Sequence, residues 1–346
     1  MKTPAFLSDY MEGAHPSVLD RLVRTNQEKT PGYGADDYTN RAAELIRAAC
    51  GCPEAEVFFL VGGTQTNATV IDALLRPSEG VLCAQTGHIA VHEAGAIEAC
   101  GHKTVELPAA GGKLSAETVR DRCAAFYEDG SRSHMVRPGM VYISQPTELG
   151  TLYSLEELEA LRRVCDALDL PLYADGARLA YALACPENDV TLPDLARLCD
   201  VFYIGGTKCG ALFGEAVVFP RKLRAPYFFT DMKRHGAVLA KGRLLGLQFE
   251  ALFADGLYGR IGQPAQQAAD LLRGELTRRG YEVLPDSPTN QVFVRMKNED
   301  LALLRETFDV GLWEKTDDSH TVVRFCTSWA TKLQDVEELL DTLPGS

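Results

Sequence analysis

Apolar segments of strand length alternate with segments of helical period from about residue 40 to residue 220. The segment "SLEELEALRRVCDAL" has the apolar spacing of an amphipathic helix. Buried strands are predicted for "VFFLVGG", "GVLCAQTG", "HKTVELP", "MVYISQ", "LPLYADG" and "DVFYIGG". This alternation predicts a mostly parallel sheet covered by helices. The segment "LFGEAVVFP" follows the last strand too closely for a helical crossover, which predicts one antiparallel neighbour.

After Pro220 the pattern changes. A long helical region is predicted for about residues 237–280, with shorter helices near 299–308 and 333–343. Strands are predicted for "YEVLP", "NQVFVRM" and "TVVRFCTSW". We therefore predict an α/β fold in which residues 1–245 form an N-terminal segment and a large domain, and residues 246–346 a small α+β domain. Because no flexible linker separates the two parts, we expect them to pack together.

Composition and charge narrow the class of partner. The chain of 346 residues is 46% apolar and carries a net charge of −13. An acidic surface without a basic block argues against nucleic acid and membrane partners, and favours a small molecule. The N-terminal "MKTPAFLSDYMEGAH" lacks the apolar core of a signal peptide, and the ten cysteines are scattered. We expect reduced thiols, a cytoplasmic protein and no metal site.

A lysine stands in a glycine-lined turn between two predicted strands. In "DVFYIGGTKCGALFGEAVVF" this residue is Lys208. Other polar residues also follow predicted strands, where the functional loops of a parallel sheet lie. They are the turn of Gly63 and Thr64, which opens a helix, and His88, Glu148 and Asp175.

Each of these residues alone fits an ordinary role. A loop lysine is usually a solvated charge, Asp175 fits a helix N-cap, and His88 fits a hydrogen-bonded core position. Together they supply what pyridoxal phosphate requires. A lysine amine condenses with its aldehyde, a carboxylate keeps its pyridine nitrogen protonated, and backbone N–H groups at a helix N-terminus bind its phosphate.

The order of the motifs also resembles a known family. The motifs "LSDYMEGAHP", "PGYGADDYT", "VGGTQTNATV", "AQTGHIAVHEAGA", "YADGARLAYAL", "GGTKCG" and "VVRFCTSW" are similar to those of low-specificity L-threonine aldolases of the beta-eliminating lyase family. The likeness runs over nearly the whole chain. It implies the aspartate-aminotransferase-like fold (fold type I), pyridoxal phosphate as cofactor, and cleavage of a β-hydroxy-α-amino acid such as threonine to glycine and an aldehyde.

The resemblance also implies roles for individual residues. It makes Lys208 the pyridoxal lysine and Asp175 the partner of the ring nitrogen, and it stacks His88 on the ring. It further implies phosphate contacts from Gly63, Thr64 and Gln65, a cofactor contact from Arg178, and a substrate carboxylate held by Ser8, Arg178 and Arg324.

One position departs from the family pattern. Many threonine aldolases carry a histidine near the substrate hydroxyl, where this chain has Glu148 in "SQPTELG". His88, Glu148 or an ordered water could accept the hydroxyl proton. His92, four residues after His88, could simply pack on the same face. Another enzyme of the same fold, a β-eliminating lyase or an aminotransferase, is the alternative, and a non-catalytic binding protein is a third.

The segment "TDMKRHGAVLAKGR" is cationic in an acidic chain. Such a charge run is usually a solvated helix end. The resemblance instead implies a homodimer or homotetramer with shared active sites. Arg234 and Lys241 would then reach the cofactor phosphate of the neighbouring subunit, and Tyr33 would lie beside the partner's site.

Overall fold

The computed structural model describes residues 5–221, 225–284 and 287–344, and these ranges contain two β-sheets. The end of the predicted strand "YEVLP", residue 285, lies outside them. The strands, in chain order, are β1 Ala5–Phe6, β2 Glu56–Leu60, β3 Glu79–Ala84, β4 Lys103–Leu107, β5 Arg137–Ser144, β6 Leu172–Asp175, β7 Val201–Gly205, β8 Glu215–Phe219, β9 Glu282–Val283, β10 Gln291–Lys297, β11 Asp309–Lys315 and β12 His320–Cys326.

Helices occupy much of the remaining described chain. They are α1 Pro16–Arg24, α2 Asp37–Ala49, α3 Gly63–Leu74, α4 His88–Val91, α5 Ala96–Ala99, α6 Ala116–Glu128, α7 Leu155–Leu168, α8 Leu179–Ala184, α9 Leu192–Leu198, α10 Phe228–Arg234, α11 Arg243–Phe253, α12 Gln263–Arg278, α13 Asn298–Leu304 and α14 Leu333–Thr342. The start of α7 shows how local sequence sets these bounds. The Ser154 side chain accepts a hydrogen bond from the Glu157 backbone N–H, and the Glu157 carboxylate accepts one from the Ser154 N–H.

The larger sheet has seven strands in the order β2-β8-β7-β6-β5-β3-β4. Strand β8 is antiparallel to both of its neighbours, β2 and β7, while β3 to β7 pair in parallel. The predicted antiparallel neighbour is therefore confirmed. Every residue of β6, β7 and β8 is buried, as continuous apolar segments predict for strands covered on both faces.

The smaller sheet has the order β1-β11-β12-β10-β9. Strand β1 pairs in parallel with β11, so residues 5–6 belong to the sheet built by the C-terminal part of the chain. The sequence pattern missed β11 because "DVGLWEK" is half exposed and does not alternate. The predicted long helix is broken between α11 and α12, where Asp255 and Gly256 have φ of 52° and 65°. The domain boundary at residue 245 remains a prediction.

No helix in the described ranges has both the length and the hydrophobicity of a membrane span. Three clusters of buried apolar side chains form the core, one of them between the smaller sheet and helices α12 and α14. The parallel strands of the larger sheet place their carboxyl ends along one edge, where polar loops gather.

Candidate active site

Two adjoining cavities, of about 270 and 620 Å³, lie at this edge of the larger sheet. Both are lined by Tyr10, His88, Glu148, Arg178 and Lys208. The structure brings most of the sequence-predicted residues to these cavities, namely Ser8, Gly63, Thr64, His88, Glu148, Asp175, Arg178, Lys208 and Arg324.

Lys208 follows β7 in a turn that only glycine permits. A Cβ on Gly206 would lie 2.6 Å from the carbonyl oxygen of Gly214. The Lys208 Nζ lies 5.9 Å from the centre of the Tyr10 ring. Burial and the neighbouring positive charge of Arg178 lower the pKa of the Lys208 amine. The amine is therefore more readily deprotonated and more nucleophilic than a surface lysine.

Asp175 ends β6 and is buried among hydrogen-bond donors. Its Oδ2 accepts bonds from the Tyr142 hydroxyl at 2.6 Å and the Asn67 amide at 3.1 Å, and its Oδ1 accepts the Ala177 N–H at 3.0 Å. Burial opposes its ionisation, but the charge of His88 and these hydrogen bonds outweigh burial and lower the pKa of the carboxyl. An ionised carboxylate is what a protonated pyridine nitrogen requires.

The N-terminus of α3 faces the smaller cavity through Gly62, Gly63 and Thr64. Helix α3 begins without a side-chain cap, so the N–H groups of its first turn remain available to an anion. Gln65 turns elsewhere. Its side-chain oxygen accepts the Val61 N–H at 3.2 Å, and its amide donates to the His235 carbonyl at 3.1 Å.

Glu148 is buried beside His88. Its Oε1 accepts the His88 backbone N–H at 2.9 Å and the Ser144 hydroxyl at 2.6 Å. Burial raises the pKa of the Glu148 carboxyl, and the negative charge of Asp175 adds to the effect. A general base works best when its pKa is near the pH of the reaction, so a raised pKa makes this carboxylate a more effective base near neutral pH.

The residues assigned to a substrate carboxylate lie together in the larger cavity. Arg178 donates from Nε and a terminal nitrogen to the two oxygens of buried Asp9, at 2.7 and 3.0 Å. Arg324 stacks over the Trp313 ring at 5.3 Å, and its Nε and the buried Ser8 hydroxyl have no hydrogen-bond partner within the described ranges. The terminal nitrogens of Arg324 donate to the Gln291 side chain and the Leu7 carbonyl at 3.4 and 3.3 Å. Because an arginine has five N–H groups, both Arg178 and Arg324 keep donors that these contacts do not use.

His92 also lines the larger cavity, and its ring centre lies 5.7 Å from that of His88. Burial, followed by the positive charges of the site, lowers the pKa of His92.

Arg234, Lys241 and Tyr33 do not line these two cavities. Arg234 is exposed and forms ion pairs with Asp72 and Asp231, and Lys241 is exposed. Tyr33 has its ring 4.8 Å from Lys233 Nζ.

A set of side chains near Arg234 has the donor types of a metal site. Donor atoms of Asp72, Cys100 and His235 lie within 4.8 Å of one another. The Asp72 carboxylate is already in contact with Arg234, and with His102 and His235 at 3.3 and 2.8 Å. Because the permanently charged Arg234 guanidinium already neutralises the Asp72 carboxylate, the cluster is better described as an ion-pair network than as a metal site.

Glu215, on β8, holds the turn that precedes Lys208. Its two oxygens accept the Gly206 N–H at 3.0 Å and the Thr207 hydroxyl at 2.7 Å. Burial raises the pKa of this carboxyl from its ordinary value of 4.5 to about 8. The sequence pattern did not single out Glu215, because it reads as one polar residue in an apolar strand.

This raised pKa predicts a pH-dependent stability. The folded protein keeps the Glu215 proton to higher pH than the unfolded chain does, so the contribution is full below pH 4.5 and is lost as the pH rises towards 8. Glu215→Gln should reduce the fall in unfolding free energy between pH 5 and pH 8, by at most about 4 kcal/mol. Urea titrations of cofactor-free wild type and variant measure this, with the exposed Glu106→Gln as control. Identical pH profiles for wild type and Glu215→Gln would contradict it.

Several residues of the site carried no sequence signal of their own. Asp9, Asn67, Tyr142 and Tyr203 contact predicted residues that lie far from them in the chain, whereas Glu93 contacts His88, five residues away. Asp9 and Asn67 stand inside the quoted motifs "LSDY" and "TQTN", which is the signal that could have found them.

Comparison with known proteins agrees with this geometry. Residues 5–298 match the beta-eliminating lyase family. The low specificity L-threonine aldolase of Pseudomonas sp. (strain NCIMB 10558) is 32% identical over 340 residues, covering 96% of this chain and 95% of that protein. The solved threonine aldolase of Leishmania major is 42% identical, with a TM-score of 0.94 and 98% of both chains covered.

A mutant of Thermus thermophilus aspartate aminotransferase shares the fold alone, at 18% identity and a TM-score of 0.71 over 99% of this chain and 91% of that one. The predicted aspartate-aminotransferase-like fold is therefore confirmed. With the family match spanning most of the chain and a curated relative above 30% identity over nearly its full length, the chain belongs to the beta-eliminating lyase family of pyridoxal phosphate-dependent lyases, among the low-specificity L-threonine aldolases.

Proposed function

We propose that this chain binds pyridoxal phosphate in the cavities at the sheet edge and cleaves a β-hydroxy-α-amino acid of the threonine or allo-threonine class to glycine and an aldehyde. The observation that carries the proposal is that Lys208, Asp175 and the N-terminus of α3 line one cavity. These are the amine, the carboxylate and the anion site that this cofactor needs.

When bound, the cofactor supplies an electron sink for the pair released as the Cα–Cβ bond breaks. Asp175 would hold a proton on the ring nitrogen because its carboxylate stays ionised. Lys208 would provide the amine that tethers the aldehyde, and its lowered pKa favours the uncharged, nucleophilic form. The first-turn N–H groups of α3 and the Thr64 hydroxyl would bind the phosphate.

Arg324 and Ser8 hold the substrate carboxylate, supported by the free donors at both side chains. A guanidinium binds a carboxylate in two parallel hydrogen bonds and so fixes the orientation of Cα. Arg178 acts with them, since Asp9 accepts only two of its five N–H groups and the residue lines the same cavity. Glu148, His88 or an ordered water accepts the proton of the β-hydroxyl, and both side chains line the cavity.

A product assay tests the proposal. The purified protein with bound cofactor is incubated with threonine, allo-threonine and larger β-hydroxy amino acids, and the products are identified. Glycine with the matching aldehyde supports the aldolase. Pyruvate or 2-oxobutanoate with ammonia would identify a β-eliminating lyase, and an oxo acid formed only with an amino acceptor would identify an aminotransferase.

We further propose that the active chain is a homodimer or homotetramer with shared sites. Large apolar side chains are exposed near the cationic segment, among them Tyr227 at 75% and Phe229 at 50% exposure. Such a patch supports an interface between copies of the chain. Arg234 and Lys241 would then contact the cofactor phosphate of the neighbouring subunit, which requires the Arg234 guanidinium to turn from Asp72.

Mixing two inactive variants tests the shared site. In a hybrid of Lys208→Ala and Arg234→Ala chains, one site has both Lys208 and the partner subunit's intact arginine. Random mixing should restore about a quarter of the wild-type activity, because half of the dimers are hybrids with one intact site each. Activity measured after mixing differently tagged chains gives the result. No recovery in isolated hybrids, or a fully active monomer by sedimentation, would contradict the shared site.

We keep a cytoplasmic location as a prediction. Its support is that all ten cysteines are free thiols in the structure.

A further inference from the structure

Glu93 lies beneath the site and was not among the predicted residues. Its side chain is 0% exposed. Its Oε1 lies 2.7 Å from His88 Nδ1 and accepts a hydrogen bond from Asn67 Nδ2, also at 2.7 Å. The next residue, Ala94, has φ of 52° in the left-handed region, so the turn that carries Glu93 is itself strained.

The Asn67 amide has a single possible orientation. Its Oδ1 accepts the Tyr173 hydroxyl at 2.7 Å. Its Nδ2 faces Glu93 at 2.7 Å and Asp175 at 3.1 Å, and only an NH₂ group with two protons can satisfy two carboxylates. One amide therefore ties together the carboxylate that contacts His88 and the carboxylate proposed for the ring nitrogen.

A purely structural role explains Glu93 poorly. Its Oε2 is buried and has no hydrogen-bond partner among the residues that the structure describes. Leaving a buried carboxylate oxygen unpaired costs stability, so packing alone would favour an apolar residue at this position. What Glu93 does contribute is an acceptor aimed at the imidazole of His88.

We propose that Glu93 is a positioning residue that fixes the ring plane of His88 and keeps a proton on its Nδ1. A histidine whose Nδ1–H bonds to a carboxylate presents Nε2 as the nitrogen that exchanges protons. The backbone N–H of His88 donates a hydrogen bond to Glu148 at 2.9 Å, so both the backbone and the imidazole of His88 are fixed by carboxylates. The consequence for turnover rests on the proposed function, whereas the consequence for the imidazole does not.

The first test uses cofactor-free protein labelled with ¹⁵N-histidine. In wild type, the ¹⁵N and ¹H resonances of His88 should show a proton on Nδ1. They are assigned as the signals absent from His88→Phe. Glu93→Ala should lose this pattern and shift His88 towards protonation on Nε2. Glu98→Ala is the matched control, because Glu98 is close in sequence but bonds Thr104 instead.

The second test is kinetic and uses the enzyme with bound cofactor. Glu93→Ala should lower kcat about tenfold to a hundredfold, the same range as when a carboxylate that orients a metal-binding histidine is removed. KM should stay within about twofold, because Glu93 orients His88 and does not hold the substrate. In a His88→Phe background the same change should have no further effect, since Glu93 acts through the imidazole.

The outcomes separate this inference from the proposed function. An unchanged His88 tautomer in Glu93→Ala, or an equal loss of kcat in the His88→Phe background, overturns the positioning role even in an active aldolase. A protein without aldolase activity whose His88 tautomer still depends on Glu93 refutes only the proposed function. If Glu93→Ala does not fold, Glu93→Gln replaces it, because glutamine keeps the side-chain volume and removes the charge of the acceptor. The ¹H resonance of the His88 Nδ1–H should then shift. An unshifted resonance overturns the inference.

Discussion

Lys208→Ala is expected to lower turnover by at least about three orders of magnitude, because the variant lacks the amine that tethers the cofactor and exchanges with the substrate. The fold should be retained, since alanine leaves the glycines of the turn unchanged and removes an amine that has no hydrogen bond to the described part of the chain. Steady-state assays and thermal unfolding measure the two effects. Lys103→Ala, on the exposed end of β4, is the matched control and should behave as wild type.

A chemical test locates the lysine independently of activity. Borohydride should fix the cofactor covalently to the wild-type protein and abolish its visible absorption, and peptide mapping should place the modification on Lys208. Trapping on any other lysine would refute the assignment. A solvated loop lysine would instead leave activity unchanged and alter stability by less than about 0.5 kcal/mol.

Asp175→Asn is the second change with a large expected effect. A neutral amide cannot keep the ring nitrogen protonated, so kcat should fall by about two orders of magnitude or more. The asparagine amide also places an NH₂ group against hydrogen-bond donors that now face the Asp175 carboxylate. Because two donors then face each other, the variant should lose about 1–3 kcal/mol of stability. Kinetics and urea unfolding on the same sample separate the two effects.

Asp36→Asn is a suitable control for this variant. Asp36 is also buried, and it caps α2 by accepting the Thr39 N–H at 2.9 Å. Asparagine is an equally good N-cap, so this change should leave turnover and stability near wild type. If Asp175→Asn behaved in the same way, Asp175 would be no more than a cap, and the proposed role would be wrong.

The sequence by itself determined the elements that local pattern controls. The period of the apolar residues predicted strands β2 to β8 and helix α7, and the short connection before β8 predicted its antiparallel direction. Because parallel strands end at one edge, the order of strand and loop was enough to bring Asp175 and Lys208 to the same cavity. The motif order then indicated the family, which the comparisons confirm.

Only the tertiary structure decided which polar groups meet around those residues. Arg178 is bound by Asp9, 169 residues away, and Asn67 contacts both Glu93, 26 residues away, and Asp175, 108 residues away. The direction of a buried side chain depends on which donors the packed neighbours leave unpaired, and a one-dimensional pattern does not contain that information.

The backbone shows the same division. Residues 5–6 join the C-terminal sheet as β1 because the edge of β11 is open to them, a long-range pairing that no local periodicity encodes. Gln65, next to the predicted anion site, turns to Val61 and His235 because those backbone groups lie within its reach after folding. The local sequence pattern thus determined the order of the elements and the residues at their ends. Three-dimensional packing determined which side chains and backbone groups those residues contact.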